Sequence, residues 1–274
     1  MIHVAGVSKF FGRLHALRQI DLDVAPGETV TLIGASGSGK TTLLRLIAGL
    51  DAPSSGEITV CGESPHTARA GKRIGFVPQS PALLPWRTVE QNARLLLDVN
   101  RTANGTAVRS TAELLDEVGL GEFGAAYPHE LSGGMQQRVA LVRAMALGAP
   151  LLVMDEPFAA LDEITRTDMR HLLARLCAPG DSAGDSPEGP TTTLFVTHSV
   201  PEAVFLSDRV VVLTSRPGRV FAVEPIDLPH PRSPELEDTP AFFEATRRLR
   251  SLLRAATKAP EPPTTPDPAL QVHP

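Results

Sequence analysis

The sequence predicts an α/β fold, a mainly parallel sheet covered by helices, and three observations carry that expectation. Short β-type runs alternate with helical periodicity along most of the chain. A glycine-rich loop, Gly34-Ala35-Ser36-Gly37-Ser38-Gly39-Lys40-Thr41-Thr42, follows the apolar run Val30-Thr31-Leu32-Ile33 and opens a helical pattern. A second glycine-bearing segment, Leu131-Ser132-Gly133-Gly134-Met135-Gln136-Gln137-Arg138, stands at another helix start far downstream. One nucleotide needs one cradle, so the second segment suggests service to a nucleotide held by another copy of the chain.

In chain order, β-rich runs are expected at residues 2–7, 20–24, 29–33 and 57–60, with Pro26-Gly27 and Ser54-Ser55-Gly56 supplying turns. Residues 40–50 carry Leu43, Leu44, Leu46, Ile47 and Leu50 at helical spacing, and Gly49 and Pro53 end that pattern. After a strand at 73–77, helical periodicity at 89–99, 108–118 and 134–147 reads as a helical insert. Alternation then resumes: strand 151–154, helix 163–176, strand 192–196, helix 201–206, and strands 209–213 and 219–223. Residues 178–190 contain no apolar side chain larger than alanine or proline and read as a mobile, dispensable surface loop. Residues 258–274 are proline-rich and read as a disordered tail.

With 274 residues, 42% of them hydrophobic, the chain can bury a substantial core. A net charge of −5 gives no electrostatic case for nucleic acid or an anionic membrane surface. Residues 1–9 do not read as a signal peptide. The longest apolar tract, near 139–154, is interrupted by Arg143, and none reaches the about 18 to 20 residues needed to span a bilayer. Cys61 and Cys177 form neither a disulfide framework nor a metal pair and read as reduced thiols. These features fit a soluble, cytoplasmic, one-domain enzyme.

The first loop matches the P-loop pattern. Its glycines let successive N–H groups converge on phosphate oxygens, and the following helix adds the positive end of its dipole. Lys40 should reach the β- and γ-phosphates and the Thr41 hydroxyl should sit on Mg²⁺. Leu151-Leu152-Val153-Met154-Asp155-Glu156 supplies the acidic partner at the end of a buried strand. Asp155 is placed to hold Mg²⁺ and Glu156 to polarise an attacking water. Read alone, Asp155-Glu156-Pro157 is a turn with surface carboxylates, and Ser132-Gly133-Gly134 is only a helix N-cap.

Together these motifs resemble the ATP-binding subunits of ABC transporters over residues 1–230. Residues 34–41 look like the Walker A motif, 151–156 the Walker B and 131–138 the family signature. Gln79 in Val77-Pro78-Gln79-Ser80 matches the Q-loop, Ala160-Leu161-Asp162 the D-loop, His198 the switch histidine and Phe11 the aromatic A-loop position. The resemblance implies a RecA-like P-loop NTPase core with an antiparallel β subdomain and an α-helical insert. It implies an ABC ATPase domain over 1–235 with the helical subdomain at 86–148, then a helical extension over 236–257. It also implies a head-to-tail homodimer that sandwiches two ATP molecules between the Walker A motif of one subunit and the signature of the other. In that scheme Glu156, His198 and Gln79 are catalytic. Phe11, residues Gly34, Ala35, Ser36, Gly37, Ser38, Gly39, Lys40, Thr41 and Thr42, with Ser132, Gly133, Gly134, Gln136 and Asp162, hold ATP. Thr41, Gln79 and Asp155 hold Mg²⁺. His198 read alone is a structural histidine, Phe11 can instead pack in the core, and either Phe10 or Phe11 could stack on adenine. Ala159 stands where the D-loop often has serine.

Leu83-Leu84-Pro85-Trp86-Arg87-Thr88-Val89-Glu90-Gln91-Asn92, residues 154–162 and Ser215-Arg216-Pro217-Gly218-Arg219-Val220 are similar to importers of the nitrate, sulfonate, taurine and bicarbonate group. Importers of thiamine-precursor pyrimidines share much of this. The resemblance therefore implies an ATPase at the cytoplasmic face of the membrane, bound to permease subunits and served indirectly by a solute-binding protein. A soluble ABC ATPase acting on DNA or ribosomes is the rival. It usually needs a long coiled coil or tandem nucleotide domains, and the chain has neither. Trp86, in an expected surface loop, suggests a permease contact; its alternative is burial against the helical insert.

Overall fold

A strand covered on both faces must be apolar at successive positions, whereas a half-exposed strand alternates. The computed structural model describes residues 1–105, 108–177 and 191–259. The chain enters through β1 (Ile2–Phe11), β2 (Leu14–Val24), β3 (Thr29–Gly34), α1 (Lys40–Ile47), β4 (Ser55–Val60), α2 (Pro65–Ala70) and β5 (Ile74–Val77). It continues through α3 (Val89–Ala93), α4 (Leu95–Asp98), α5 (Thr111–Glu117), α6 (Gly133–Met145), β6 (Leu151–Asp155) and α7 (Glu163–Leu176). β7 (Thr192–Val196), α8 (Val200–Leu206), β8 (Arg209–Leu213), β9 (Val220–Pro225) and α9 (Pro240–Lys258) complete it.

Six strands form one sheet in the order β5-β6-β7-β3-β8-β9, parallel except for β9, which pairs antiparallel with β8. Alternate residues of its central strands enter different cores. Leu32, Leu151, Val153, Leu194, Val196, Val211 and Leu213 pack with α1 and the small sheet. Ile33, Leu152, Met154, Phe195, Val210 and Val212 pack on the other face with α6, α8 and α9. Each fully buried Leu, Ile or Val contributes about 1.5–3 kcal/mol relative to exposure, and the polar residues buried within these strands are mainly threonines, Thr31, Thr192 and Thr193. The small sheet, β2-β1-β4, is antiparallel and buries one side of each strand. α9 buries Phe242, Ala245, Thr246, Leu249 and Ala256, a helical spacing that seats it on α8 and β8.

Some element boundaries differ from the sequence expectation for local reasons. The helix expected over 89–99 is two pieces that break at Arg94, and the second ends at Asp98, where the Leu96 and Val99 carbonyls turn to Lys72 Nζ at 2.6 and 2.5 Å. α5 starts later than expected because Ser110 Oγ accepts the Glu113 N–H at 3.3 Å and caps it there. α2 went unread, although Ser64 as N-cap and Pro65 at the first helical position announce it. Lys258, assigned to the tail, is the last residue of α9. The loop at 178–190 and the tail from 260 onward lie outside the described residues.

Register brings the chemistry to one edge. Gly34 pairs with Leu213, Leu32 with Val196, and Asp155 also with Val196. The carboxyl ends of β3, β6 and β7 therefore open on the same crevice, where open α/β sheets bind ligands.

Candidate functional site

The glycine-rich loop spans the gap from β3 to α1. Gly39 precedes the helix at φ +87°, and a Cβ there would lie 2.5 Å from Leu17 Cδ2, so a side chain would be both strained and blocked. Lys40 is buried, and its Nζ donates to the Gly34 and Ala35 carbonyls at 2.9 and 3.1 Å. Burial holds the Lys40 ammonium below its usual pKa, against the opposing pull of Glu156 and Asp155. The ammonium thus rests on neutral carbonyls, and a triphosphate would offer it full negative charge. Ser38 Oγ is buried without a hydrogen-bond partner.

Thr41 Oγ1 donates to Asp155 Oδ1 at 2.9 Å. Burial pushes the Asp155 carboxyl above its usual pKa, and the Thr41 hydrogen bond partly offsets this. Next to it, Glu156 is left-handed at φ +44°, with its N–H on the Val196 carbonyl at 3.0 Å. A non-glycine residue in that region costs about 1–3 kcal/mol and persists only where its surroundings over-determine it. Here the strain turns the side chain across to β7, where Glu156 Oε2 lies 3.1 Å from His198 Nδ1. Lys40, Thr41, Asp155, Glu156 and His198 thus meet along one sheet edge.

Among the described residues no group of three or more His, Cys, Asp or Glu side chains could hold a metal. The oxygen donors Thr41 and Asp155 suit Mg²⁺ that takes its remaining ligands from phosphate and water. Gln79 is exposed just beyond β5.

The second cradle is a helix start. Ser132 Oγ accepts the Met135 N–H at 3.3 Å and caps α6. Gly133 is exposed, with nothing within 4 Å of an added Cβ. Gly134 has a different reason for being glycine: a Cβ would meet Thr165 Cγ2 of α7 at 2.5 Å. Gln136 Nε2 donates to the Pro128 and Leu131 carbonyls at 2.9 and 3.3 Å, so its amide is engaged by its own chain. Asp162 caps α7, accepting the Thr165 N–H and Oγ1 at 3.0 and 2.7 Å, and these bonds hold its carboxyl below the usual range. No hydrogen bond joins the two cradles among the described residues.

At the end of β1 the two phenylalanines divide. Phe10 stacks on His15, ring centroids 4.0 Å apart. Phe11 is 48% exposed, with Lys9 Nζ 5.0 Å from its ring centre. Core packing is therefore not its role.

One supporting residue escaped the sequence reading. Glu202, only 4% exposed, accepts from Thr197 Oγ1, while Ser199 N–H donates to the same Thr197 oxygen at 3.0 Å, so the turn bearing His198 is pinned from beneath. The signal was present as Ser199-x-x-Glu202, a capping pattern; the carboxylate instead serves the turn. Burial raises the Glu202 pKa, with the Thr197 hydrogen bond and Arg166 opposing. A carboxyl whose folded pKa lies above its unfolded one contributes stability below the unfolded value and loses it as pH rises through the folded value. Glu202→Gln, which cannot ionise, should therefore match or exceed the parent's thermal stability at neutral pH, with the gap closing on acidification. Melting curves across that range check this, and a less stable variant at neutral pH contradicts it.

Comparison with known proteins places this geometry among relatives. The family model described as ABC transporter matches residues 17–159. The chain is 41% identical over 258 residues to an aliphatic sulfonates import ATP-binding protein of Xanthomonas axonopodis pv. citri, covering 93% of this chain and 94% of that one. It is 41% identical over 255 residues to a nitrate import ATP-binding protein of Synechococcus elongatus, covering 90% of this chain but spanning 37% of that relative's length. Among solved structures, a dimeric ATP-binding cassette in a post-hydrolysis state with ADP and Pi matches at TM-score 0.68 and 31% identity, covering 83% of this chain and all (100%) of that one. An ATP-binding subunit of an ABC transporter matches at TM-score 0.70 and 27% identity, covering 94% of this chain and 100% of that one.

Proposed function

The chain belongs to the ABC transporter family, and from that premise we propose that it is the ATP-binding and ATP-hydrolysing subunit of an importer for a small solute of the nitrate, sulfonate, taurine or bicarbonate type. The observation that carries this reading is the meeting of Lys40, Thr41, Asp155, Glu156 and His198 at the carboxyl edge of β3, β6 and β7. The solute class rests on relatives named for nitrate, aliphatic sulfonates and bicarbonate.

In this reading the loop N–H groups and Lys40 neutralise the β- and γ-phosphates of ATP. Thr41 and Asp155 hold Mg²⁺, which supplies charge neutralisation at the phosphate oxygens when bound. Glu156 takes the proton from the attacking water as it approaches the γ-phosphorus. His198, hydrogen-bonded to Glu156, fixes the direction of that carboxylate and lies beside the γ-phosphoryl group as its bond to the departing ADP breaks. Gln79 joins the water and metal to the helical insert, and Phe11 supplies an exposed ring face for adenine. The other wall of each site is Ser132–Gly134 of a second copy, whose N–H groups at the α6 N-terminus face the γ-phosphate. ATP is then shared by two subunits and stabilises their dimer by mass action.

Among the described residues no helix is long and apolar enough to cross a membrane. The relatives named as import ATP-binding proteins support placing the subunit at the cytoplasmic face, docked on permease subunits that receive solute from a separate binding protein. Trp86, 71% exposed, is the contact we assign to a permease helix. Trp86→Ala should retain ATP binding while solute uptake by the assembled transporter falls; uptake of nitrate, an alkanesulfonate, taurine and bicarbonate in reconstituted vesicles checks both this and the solute class. Unchanged uptake would remove Trp86 from the interface.

A further inference from the structure

The loop after β5 is held more tightly than a surface loop requires. Asn92 of α3 is fully buried. It accepts the Leu84 N–H at 2.8 Å and donates to the Leu84, Arg87 and Thr88 carbonyls at 3.1, 2.9 and 3.0 Å. Thr88 and Gln91 close a reciprocal cap, Thr88 N–H to Gln91 Oε1 at 3.1 Å and Gln91 N–H to Thr88 Oγ1 at 3.3 Å.

From the other side comes Arg143, in the body of α6 and only 7% exposed. Its guanidinium donates to the Ala82 carbonyl at 3.0 Å and the Pro81 carbonyl at 2.7 Å. Among the described residues no carboxylate acts on it, and burial lowers its pKa. A buried cation resting only on neutral carbonyls is a costly arrangement, which an apolar residue would avoid. Ala82 is itself left-handed, at φ +47°, next to the carbonyls that face the guanidinium. Six residues earlier on the same helix, Gln137 Nε2 approaches the Pro78 carbonyl at 3.5 Å. Burial, strain and hydrogen bonds thus converge on a single loop, and its exposed tip is Trp86, the chain's one tryptophan.

We propose that Arg143 is a positioning residue that locks residues 81–88 to α6, so that the helix beginning at Ser132–Gly134 sets the orientation in which Trp86 meets its partner. The lock is a property of the subunit alone. Its consequence for transport rests on the reading of Trp86 as a permease contact.

Because Trp86 is the only tryptophan, its fluorescence reports on this loop without labelling. In the full chain, Trp86 anisotropy should approach that of whole-protein tumbling and acrylamide quenching should be modest. Arg143→Met should lower the anisotropy and raise the quenching, with Arg143→Lys, which keeps the cation but loses the fork, in between. Basal ATPase of the isolated subunit should be retained in Arg143→Met, while permease-coupled ATPase falls by about 2- to 30-fold. Unchanged anisotropy and quenching, or equal losses of basal and coupled turnover, would overturn the proposal. If Arg143→Met does not fold, Arg143→Lys decides: Trp86 anisotropy should still fall and quenching rise in that variant, and parent values for both contradict the lock. Loss of the coupled effect with the fluorescence changes intact would fault the permease reading instead.

Discussion

A Glu156→Gln chain is expected to bind ATP as tightly as the parent and to lose turnover by about 10²- to 10⁴-fold, the usual contribution of a general base. The expectation follows from where the carboxylate is held. Glu156 sits one residue past Asp155, in a left-handed conformation that directs Oε2 to His198 at 3.1 Å. Glutamine keeps that shape and can still touch His198, but it cannot accept a proton from water. ATP would then remain between two subunits, and size-exclusion chromatography with ATP should show a stable dimer that ADP does not support. Steady-state hydrolysis that survives the substitution would remove Glu156 from the role of base.

A Ser132→Arg chain is expected to lose hydrolysis by about 10²- to 10³-fold, the scale of losing an oxyanion donor, while its own glycine-rich loop still binds ATP. Ser132 caps α6 through the Met135 N–H at 3.3 Å, beside the exposed Gly133. An arginine there removes the cap and fills the open face that the γ-phosphate of the partner's ATP must approach. Nucleotide binding by the isolated subunit, measured by equilibrium dialysis, should be nearly unchanged. A parallel loss of ATP binding would mean that Ser132 serves its own subunit's nucleotide.

Much of this site could be read directly from residue order. The P-loop and the Asp155-Glu156 pair are local patterns whose chemistry depends on neighbours in sequence, and sheet register then carried them to one edge. The central strands were legible for the same reason, since burial on both faces leaves a continuous apolar run. What escaped depends on contacts between distant segments. Gly134 is glycine because Thr165 lies against it, and the Gln136 amide is taken up by Pro128 and Leu131. Glu202 went unnoticed because it braces the His198 turn only through Thr197. Arg143 looked like an interruption of an apolar tract, yet its charge is spent on two carbonyls of a loop some sixty residues away, at sequence separations of 61 and 62. Periodicity records which side of a helix is buried, not which backbone oxygen waits there.

The pairing of cradles across two subunits is tested most directly with dimers of fixed composition, made as tandem fusions. One fusion joins a Ser132→Arg chain to a Lys40→Ala chain; the other joins a chain carrying both substitutions to an unaltered chain. If each site is built from Lys40 and Thr41 of one subunit and Ser132–Gly134 of the other, the first fusion keeps one intact site and hydrolyses ATP, while the second keeps none and is inactive. The reverse pattern, activity in the second fusion and none in the first, would show that both cradles serve the same subunit's nucleotide.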